Sequence, residues 1–232
     1  SSHTFILYLL LSSGNWEAQK TISKMKKHLH NSLRALFLSL AVLLSLPMLA
    51  VEVEINGINY DLIAKIKEAT VIKKSSGGYA GEIVIPDFVE HAGVTYKVTS
   101  IESSVFYYCT NITSVTIGNN VTNIGSSAFE HCEKMSSLTI GNSVTNIGDY
   151  AFQYCSKLST VNIPSSTTHI GNYAFQFCRG LTKVDLGSVQ SIGNSAFSSC
   201  TGVTSITIPT SVINIGDGVF SSCKGLTSID LG

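Results

Sequence analysis

The chain has 232 residues, 44% of them hydrophobic, and its 15 Lys and Arg balance its 15 Asp and Glu. Residues 51–232 alone carry ten basic and fourteen acidic side chains, a net charge of −4. Binding to nucleic acid requires clustered positive charge. The composition therefore excludes nucleic acid as an expected partner.

The first fifty residues differ from the rest of the chain. Basic residues between Met25 and Arg34 precede an apolar run at 36–46. A basic region followed by about a dozen apolar residues is typical of a secretory signal peptide, which we place at residues 25–50. A membrane anchor is the alternative, although a span needs about 20 apolar residues. The sequence thus predicts a secreted or cell-surface protein, with no stable membrane span after the signal peptide is cleaved.

The other boundaries follow from this signal peptide. Because a signal peptide begins at the initiator methionine, residues 1–24 are expected to be a non-native leader. Residues 51–100 are expected to form an amino-terminal β cap, and residues 101–232 to form six repeats. The last repeat carries no polar cap, so we expect the protein to be truncated at its carboxyl end.

The predicted cap contains a degenerate repeat. The strand and turn pattern of the later repeats also occurs here, at Ala80, Ile83, Ile85 and Pro86. A hairpin-like insertion follows at residues 93–96. A solenoid must shield its first apolar face from water. We expect the cap to do so.

The pattern I-G-x-x-A-F-x-x-C-x-x-L-x-x-I-x-I recurs six times in the remaining chain. A period of about 20 to 29 residues is typical of a leucine-rich-repeat solenoid. Leu158, Val161 and Ile163 exemplify the repeated strand, and the apolar spacing of Ala151, Phe152 and Cys155 predicts a single helical turn. The predicted fold is a solenoid of short parallel strands with one helical turn per repeat.

Each repeat holds one cysteine, and all six occupy the same repeat position, 22 or 23 residues apart. They are Cys109, Cys132, Cys155, Cys178, Cys200 and Cys223. Secreted proteins often use cysteines for disulfides, but parallel side chains make the disulfide dihedral difficult to form. We expect free buried thiols, with disulfides between adjacent coils as the alternative. A zinc site is not expected, because the chain has no C-x-x-C pair.

These repeats resemble the bacterial BspA-like leucine-rich-repeat family, whose units read close to I-G-x-x-A-F-x-x-C-x-x-L-x-x-I-x-I-P. The match covers residues 101–232, and residues 53–101 also look like the amino-terminal region of such proteins in Bacteroides-type bacteria. Val105, Glu102 and Val219 depart from the pattern. The resemblance implies a surface or secreted protein that adheres to matrix proteins such as fibronectin or fibrinogen, or to other cells. It implies no catalytic motif and no cofactor.

Two surfaces are candidates for binding. The first is the outward side of the predicted sheet, rich in hydroxyl groups, which could bind protein backbones or sugars through many weak hydrogen bonds. Its residues are Ser114, Thr116, Ser137, Thr139, Thr160, Asn162, Lys183 and Asp185. The alternative explanation is that Thr favours strands and Ser is soluble.

The second candidate is aromatic and lies between the Phe and the Cys of each repeat. Its residues are Tyr107, Tyr108, His131, Tyr154 and Phe177. Exposed aromatic clusters are common anchors of protein interfaces. Alternatively, these rings cover the hydrophobic edge of each coil.

The sequence gives no indication of an enzyme. His91, His131 and His169 lack a paired ligand or nucleophile, and no G-x-S-x-G, phosphate loop or dinucleotide motif occurs. We therefore expect no catalytic residue, metal site or cofactor. The function predicted is adhesion to extracellular or host proteins through the repeat face. The alternatives are a structural spacer that presents a missing domain and a module that captures glycans.

Overall fold

The computed structural model describes residues 50–232, together with Lys20 and Lys24. The predicted leader and all of the predicted signal peptide except Ala50 otherwise lie outside the described residues. In the part of the chain that is described, no helix is both long and apolar enough to cross a membrane.

Residues 50–232 consist of strands joined by turns. The strands are β1 (Ala50–Ile55), β2 (Ile58–Ile63), β3 (Glu68–Ile72), β4 (Ala80–Ile85), β5 (Phe88–His91), β6 (Val94–Ile101), β7 (Asn111–Ile117), β8 (Asn123–Ile124), β9 (Ser137–Thr139), β10 (Asn146–Ile147), β11 (Thr160–Asn162), β12 (His169–Ile170), β13 (Lys183–Asp185), β14 (Ser191–Ile192), β15 (Ser205–Thr207), β16 (Asn214–Ile215) and β17 (Ser228–Asp230).

One sheet runs the length of the stack. It begins with the antiparallel pairs β1–β2 and β2–β3, continues with β6 parallel to β3, and then adds β8, β10, β12, β14 and β16 in parallel. β5 and β6 form an antiparallel hairpin. Tyr60, Leu62 and Val98 alternate with exposed or half-buried residues, so one face of the first strands packs on the core.

The other side of each coil is formed by the L-x-x-L-x-L segment. Its strands pair in parallel as β4-β7-β9, β11-β13 and β15-β17. β4 occupies the position of a repeat strand, since Ile83 pairs with Val115 and Ile85 with Ile117. The stacked coils thus form the predicted solenoid of short parallel strands, with β-strands at its amino-terminal end.

The segment between the two sheets is a run of β-turns, and the predicted helical turn at residues 151–155 is not formed. The Phe152 N–H donates to the carbonyl of Ala174 in the next coil (2.8 Å), whereas the Gln153 N–H donates to Tyr150 three residues earlier (3.0 Å). Alternate amides therefore hold adjacent coils together, whereas the amides of a helical turn would all bond within their own coil. The residue before each of the six cysteines also has positive φ, which interrupts a right-handed helix. These residues are Tyr108, His131, Tyr154, Phe177, Ser199 and Ser222.

The core is a stack of equivalent layers, one for each repeat. Phe129 lies 5.2 Å from Phe152, and Phe152 lies 5.1 Å from Phe175, with nearly parallel rings. These rings and their neighbours Phe106 and Phe197 are fully buried. The period of the repeat therefore appears in the structure as a continuous column of phenyl rings.

The six cysteines form a second buried column, and all six thiols are free, as predicted. The Cys155 Sγ donates to the Phe129 carbonyl of the preceding coil (3.3 Å), and Cys178 does the same to Phe152 (3.1 Å). Burial raises the pKa of the Cys155 and Cys178 thiols. Each thiol from Cys132 to Cys223 is therefore a neutral hydrogen-bond donor between coils as well as a core residue.

Candidate functional site

The candidate residues fall into two groups in the structure. Tyr107, Tyr108, His131, Tyr154 and Phe177 lie on the turn segment, and we call them the aromatic strip. The remaining candidates lie on β7, β9, β11 and β13, and we call them the hydroxyl face; they are Ser114, Thr116, Ser137, Thr139, Thr160, Asn162, Lys183 and Asp185.

The aromatic strip is built by one repeat position. Tyr108, His131, Tyr154 and Phe177 each precede a cysteine and have φ between 56° and 60°. Because the following cysteine points into the core, the ring before it is left at the surface, and adjacent coils bring successive rings together. Tyr108 is 55% exposed, and the other three are half-buried.

The rings of the strip stack face to face. The centroid distances are 4.1 Å from Tyr108 to His131, 4.3 Å from His131 to Tyr154 and 4.6 Å from Tyr154 to Phe177. The planes of these pairs differ by at most 21°. Since each inner ring has a neighbour on both faces, ring edges and the Tyr hydroxyls are what the strip presents to a partner.

Charged groups border the strip. The His131 Nδ1 lies 3.3 Å from the Glu133 carboxylate, and its Nε2 lies 4.0 Å from Glu130. At the other end the Arg179 guanidinium lies 5.5 Å from the centre of the Phe177 ring, within the range of a cation–π interaction. The strip thus has carboxylates beside its His131 ring and a guanidinium at its Phe177 end.

Tyr107 extends the strip at its amino-terminal end. Its ring meets that of Tyr108 edge to face at 4.7 Å. Desolvation raises the pKa of the Tyr107 hydroxyl, and the negative charge of Glu130 raises it further. Tyr107 is therefore a neutral donor at physiological pH.

The outward side chains of the L-x-x-L-x-L segments differ by repeat position, and the first outward position precedes the hydroxyl face. At the first outward position the hydroxyls bind the preceding coil: Ser136 Oγ donates to the Thr113 carbonyl (3.3 Å), and Thr182 Oγ1 donates to Ser159 (3.2 Å). These side chains therefore stabilise the stacking of adjacent coils.

At the second and third outward positions the side chains point to solvent. Among the described residues, the hydroxyls of Thr116, Thr139 and Thr160 make no hydrogen bond. Asp185 differs, because its Oδ1 accepts the Gly187 N–H (3.0 Å). Apart from Asp185, these candidate side chains make no hydrogen bond within the described residues, and their role in binding remains a prediction.

The sequence analysis missed two exposed apolar residues: Val84, which continues this face on β4, and Phe88 on the neighbouring strand β5. Val84 pairs with Thr116 in the sheet and is 58% exposed, and Phe88 just beyond it is 54% exposed. The alternation of buried Ile83 and Ile85 about Val84 was the signal that could have identified the first of them. The face therefore begins with an apolar patch on the cap.

A second, shorter aromatic stack lies on the turn segment. Tyr150 and Tyr173 have ring centroids 4.9 Å apart and nearly parallel planes. Both also have positive φ. This pair provides a matched control for experiments on the aromatic strip.

Within residues 50–232 and at the two described lysines, no cluster of three His, Cys, Asp or Glu side chains is arranged to hold a metal ion. His131 contacts two carboxylates, but both lie on its own turn segment. What the described surfaces offer is hydrogen bonding, ring edges and charge.

The chain matches a family model described as "BspA type Leucine rich repeat region". Six copies match, over residues 89–201 and 169–232, which together exceed half of the chain. No curated protein matches the chain.

Solved structures give the same result. A leucine-rich cell surface protein from Faecalibacterium prausnitzii is 31% identical, with a TM-score of 0.59, over 77% of this chain and 54% of its own. A leucine-rich repeat protein from Bacteroides ovatus is 27% identical, with a TM-score of 0.58, over 77% of this chain and 53% of its own. The chain thus spans about half the length of these two proteins.

More distant structures share the fold. The pneumococcal vaccine antigen PcpA is 21% identical, with a TM-score of 0.60, over 79% of this chain and 49% of its own. The six family matches, the parallel strands and the column of phenyl rings agree with one another. The chain belongs to the BspA-type leucine-rich-repeat family.

Proposed function

We propose that this protein is a non-catalytic, exported surface protein that adheres to other proteins through its repeats, with the aromatic strip as the principal contact. The observation that carries the proposal is the continuous stack of Tyr108, His131, Tyr154 and Phe177 along four coils. Tyr is enriched among the residues that dominate binding energy at protein interfaces. The cell-surface description of the Faecalibacterium protein supports the proposed location.

The stacking supports a protein ligand over a glycan. Sugars bind aromatic residues mainly by lying against a ring face, and the inner faces of this strip are covered by neighbouring rings. Exposed ring edges and the hydroxyls of Tyr108 and Tyr154 suit the mixed apolar and polar surface of a protein. Glycan capture is thereby the weaker alternative.

Rigidity adds to this argument. The stacked rings are already held in place in the free protein, so a partner binds them without the full cost of ordering loose side chains, about 0.5–1.5 kcal/mol for each. Because the contacts repeat at every coil, an elongated partner can engage several of them at once. Many modest contacts then give useful affinity.

A structural spacer is the second candidate, favoured by a specific observation. Hydroxyl groups of Ser136, Ser159 and Thr182 all bind the backbone of the preceding coil. Side chains used in this way stiffen a stack and leave fewer groups for a ligand. A stiff stack could project another domain.

A binding screen separates these candidates. The full chain is tested against immobilised fibronectin, fibrinogen and a glycan array, beside a strip variant (Tyr107→Ala, Tyr108→Ala and Tyr154→Ala). The control variant is Tyr150→Ala with Tyr173→Ala, which removes a similar ring stack with the same backbone conformation.

Saturable protein binding that the strip variant loses and the control retains supports adhesion. Binding confined to glycans would instead support the glycan-capture function. Absence of binding to all of these ligands would favour the spacer.

A further inference from the structure

A groove of about 710 Å³ in the cap follows the free edge of β4. Among the described strands, β4 is the outermost of its sheet and is paired only with β7. Both odd and even residues of β4, Glu82, Ile83 and Val84, line the groove. Because odd and even side chains point to opposite faces of a strand, a cavity lined by both lies along the strand edge.

The backbone groups at this edge can be assigned. The Gly118 N–H donates to the Ile85 carbonyl (2.8 Å), so the peptide groups of Ile85 and Ile83 point toward β7. Backbone groups of successive residues point to alternate sides of a strand. The N–H and C=O groups of Glu82 and Val84 therefore point away from the sheet and into the groove.

The walls of the groove are apolar and its free charges are acidic. Ile55, Ile58 and Phe88 line it opposite β4. Within the described residues, Glu82 and Glu90 have no ion-pair partner. Lys74, the basic residue of the groove, lies 3.9 Å from Glu54 and 5.0 Å from the centre of the Tyr79 ring.

We propose that the free edge of β4 binds an extended segment of a partner protein as an added β-strand, and that this segment alternates apolar residues with Lys or Arg. An exposed apolar strand edge is a template for strand addition unless it is blocked. Glu82 and Glu90 select basic side chains by charge. Pairing of β4 with a second copy of itself would place acidic residues near one another, which is unfavourable.

This site is separate from the surface proposed for adhesion. The aromatic strip begins at Tyr107, and none of its residues lines the groove. A variant of the strip should therefore leave strand addition unchanged.

The test measures fluorescence anisotropy of a labelled peptide, acetyl-(Lys-Val)₄-amide, with the full chain. We expect saturable binding. Acetyl-(Glu-Val)₄-amide and a Lys-Val peptide with alternate N-methylated amides should each bind at least about tenfold more weakly, a difference of about 1.4 kcal/mol. The N-methyl groups remove the strand hydrogen bonds without changing the charge.

The matched protein variant is Glu82→Lys with Glu90→Lys, whose fold is checked by circular dichroism. It should prefer the Glu-Val peptide, and the strip variant should bind the Lys-Val peptide as the parent does. Equal binding of the N-methylated peptide, or no saturation at about 1 mM, would overturn the proposal. So would a β4-dependent dimer in sedimentation, because the groove would then hold a second copy.

Discussion

The side chain of Phe152 packs against residues of two adjacent coils as well as its own. Its ring is fully buried and is stacked between Phe129 and Phe175. Protein interiors are packed as densely as organic crystals, so the neighbouring coils cannot simply close around a lost ring. The stability of the stack therefore depends on each member of this column.

Replacement of Phe152 with Ala should lower the free energy of unfolding by about 3–5 kcal/mol, because it removes buried surface and leaves a cavity. Urea unfolding followed by circular dichroism measures the change. The control is Phe177→Ala on the half-exposed aromatic strip, where we expect a loss of about 1 kcal/mol from the stacking alone. Equal losses at the two positions would contradict the proposed core.

The cysteine column makes a chemical prediction. Cys132, Cys155 and Cys178 are inaccessible, and burial raises the pKa of each thiol, so the reactive thiolate is scarce. Iodoacetamide at pH 8 should leave these three unmodified in the native protein and label all six cysteines in guanidinium. Mass spectrometry reads both results. Labelling of these three under native conditions, or a disulfide that survives denaturation, would contradict the structure.

The sequence predicted that the six cysteines are buried, because residues at one repeat position tend to share one environment. It did not predict that the Cys155 thiol donates to the Phe129 carbonyl. That carbonyl lies in the preceding coil, 26 residues earlier, and its position depends on how the coils stack. Periodicity identifies which residues are buried but does not reveal this hydrogen bond.

At the scale of elements, the turn segment is where sequence analysis was wrong. Apolar residues at Ala151, Phe152 and Cys155 fit a helical turn, and they fit a run of β-turns equally well. The β-turns form because alternate amides can bond to the next coil, as Phe152 does with Ala174. These bonds are available only after stacking, so local spacing could not indicate them.

The left-handed positions in this segment can be tested by substitution. Ser199 has a φ of 61°, which costs a non-glycine residue about 1–2 kcal/mol. Ser199→Gly should therefore raise the free energy of unfolding, by about 0.5–1 kcal/mol after the extra chain entropy of glycine is subtracted. Ser198→Gly is the control. Because Ser198 has negative φ, this variant should have a lower free energy of unfolding than the parent. Chemical unfolding of both variants checks the signs, and a loss of stability at Ser199 would contradict the turn geometry.

The aromatic strip was partly predictable for the same reason. Tyr108, His131 and Tyr154 share one repeat position, so their clustering follows from the period. That their rings cover one another follows from the spacing of the coils and from the positive φ before each cysteine. Neither quantity can be read from the residues alone.

At the scale of the molecule, the two ends of the described stack differ. At the amino-terminal end Tyr79 packs against Phe106, with ring centroids 4.6 Å apart, and both rings are buried. In the last coil Ile215 is 54% exposed, whereas the equivalent Ile170 and Ile192 are buried. Coils of a solenoid are stabilised by packing on their neighbours, so the exposed Ile215 contributes less to the stack than its buried equivalents do.

Hydrogen exchange should follow this gradient. Amides of residues 204–230 should exchange faster in this chain than the equivalent amides of residues 138–170, since local opening is easiest where burial is least. Peptide-resolved mass spectrometry measures both segments in one experiment. Uniform protection along the stack would contradict the gradient.

The measurement that tests the proposed function most directly is the dissociation constant for immobilised fibronectin of three proteins: the parent chain, the strip variant and the Tyr150→Ala, Tyr173→Ala control. Loss of three aromatic anchors should weaken binding by at least about tenfold, a change of about 1.4 kcal/mol, while the control binds as the parent does. Equal weakening in both variants, or full binding by the strip variant, would contradict the role of the aromatic strip in adhesion.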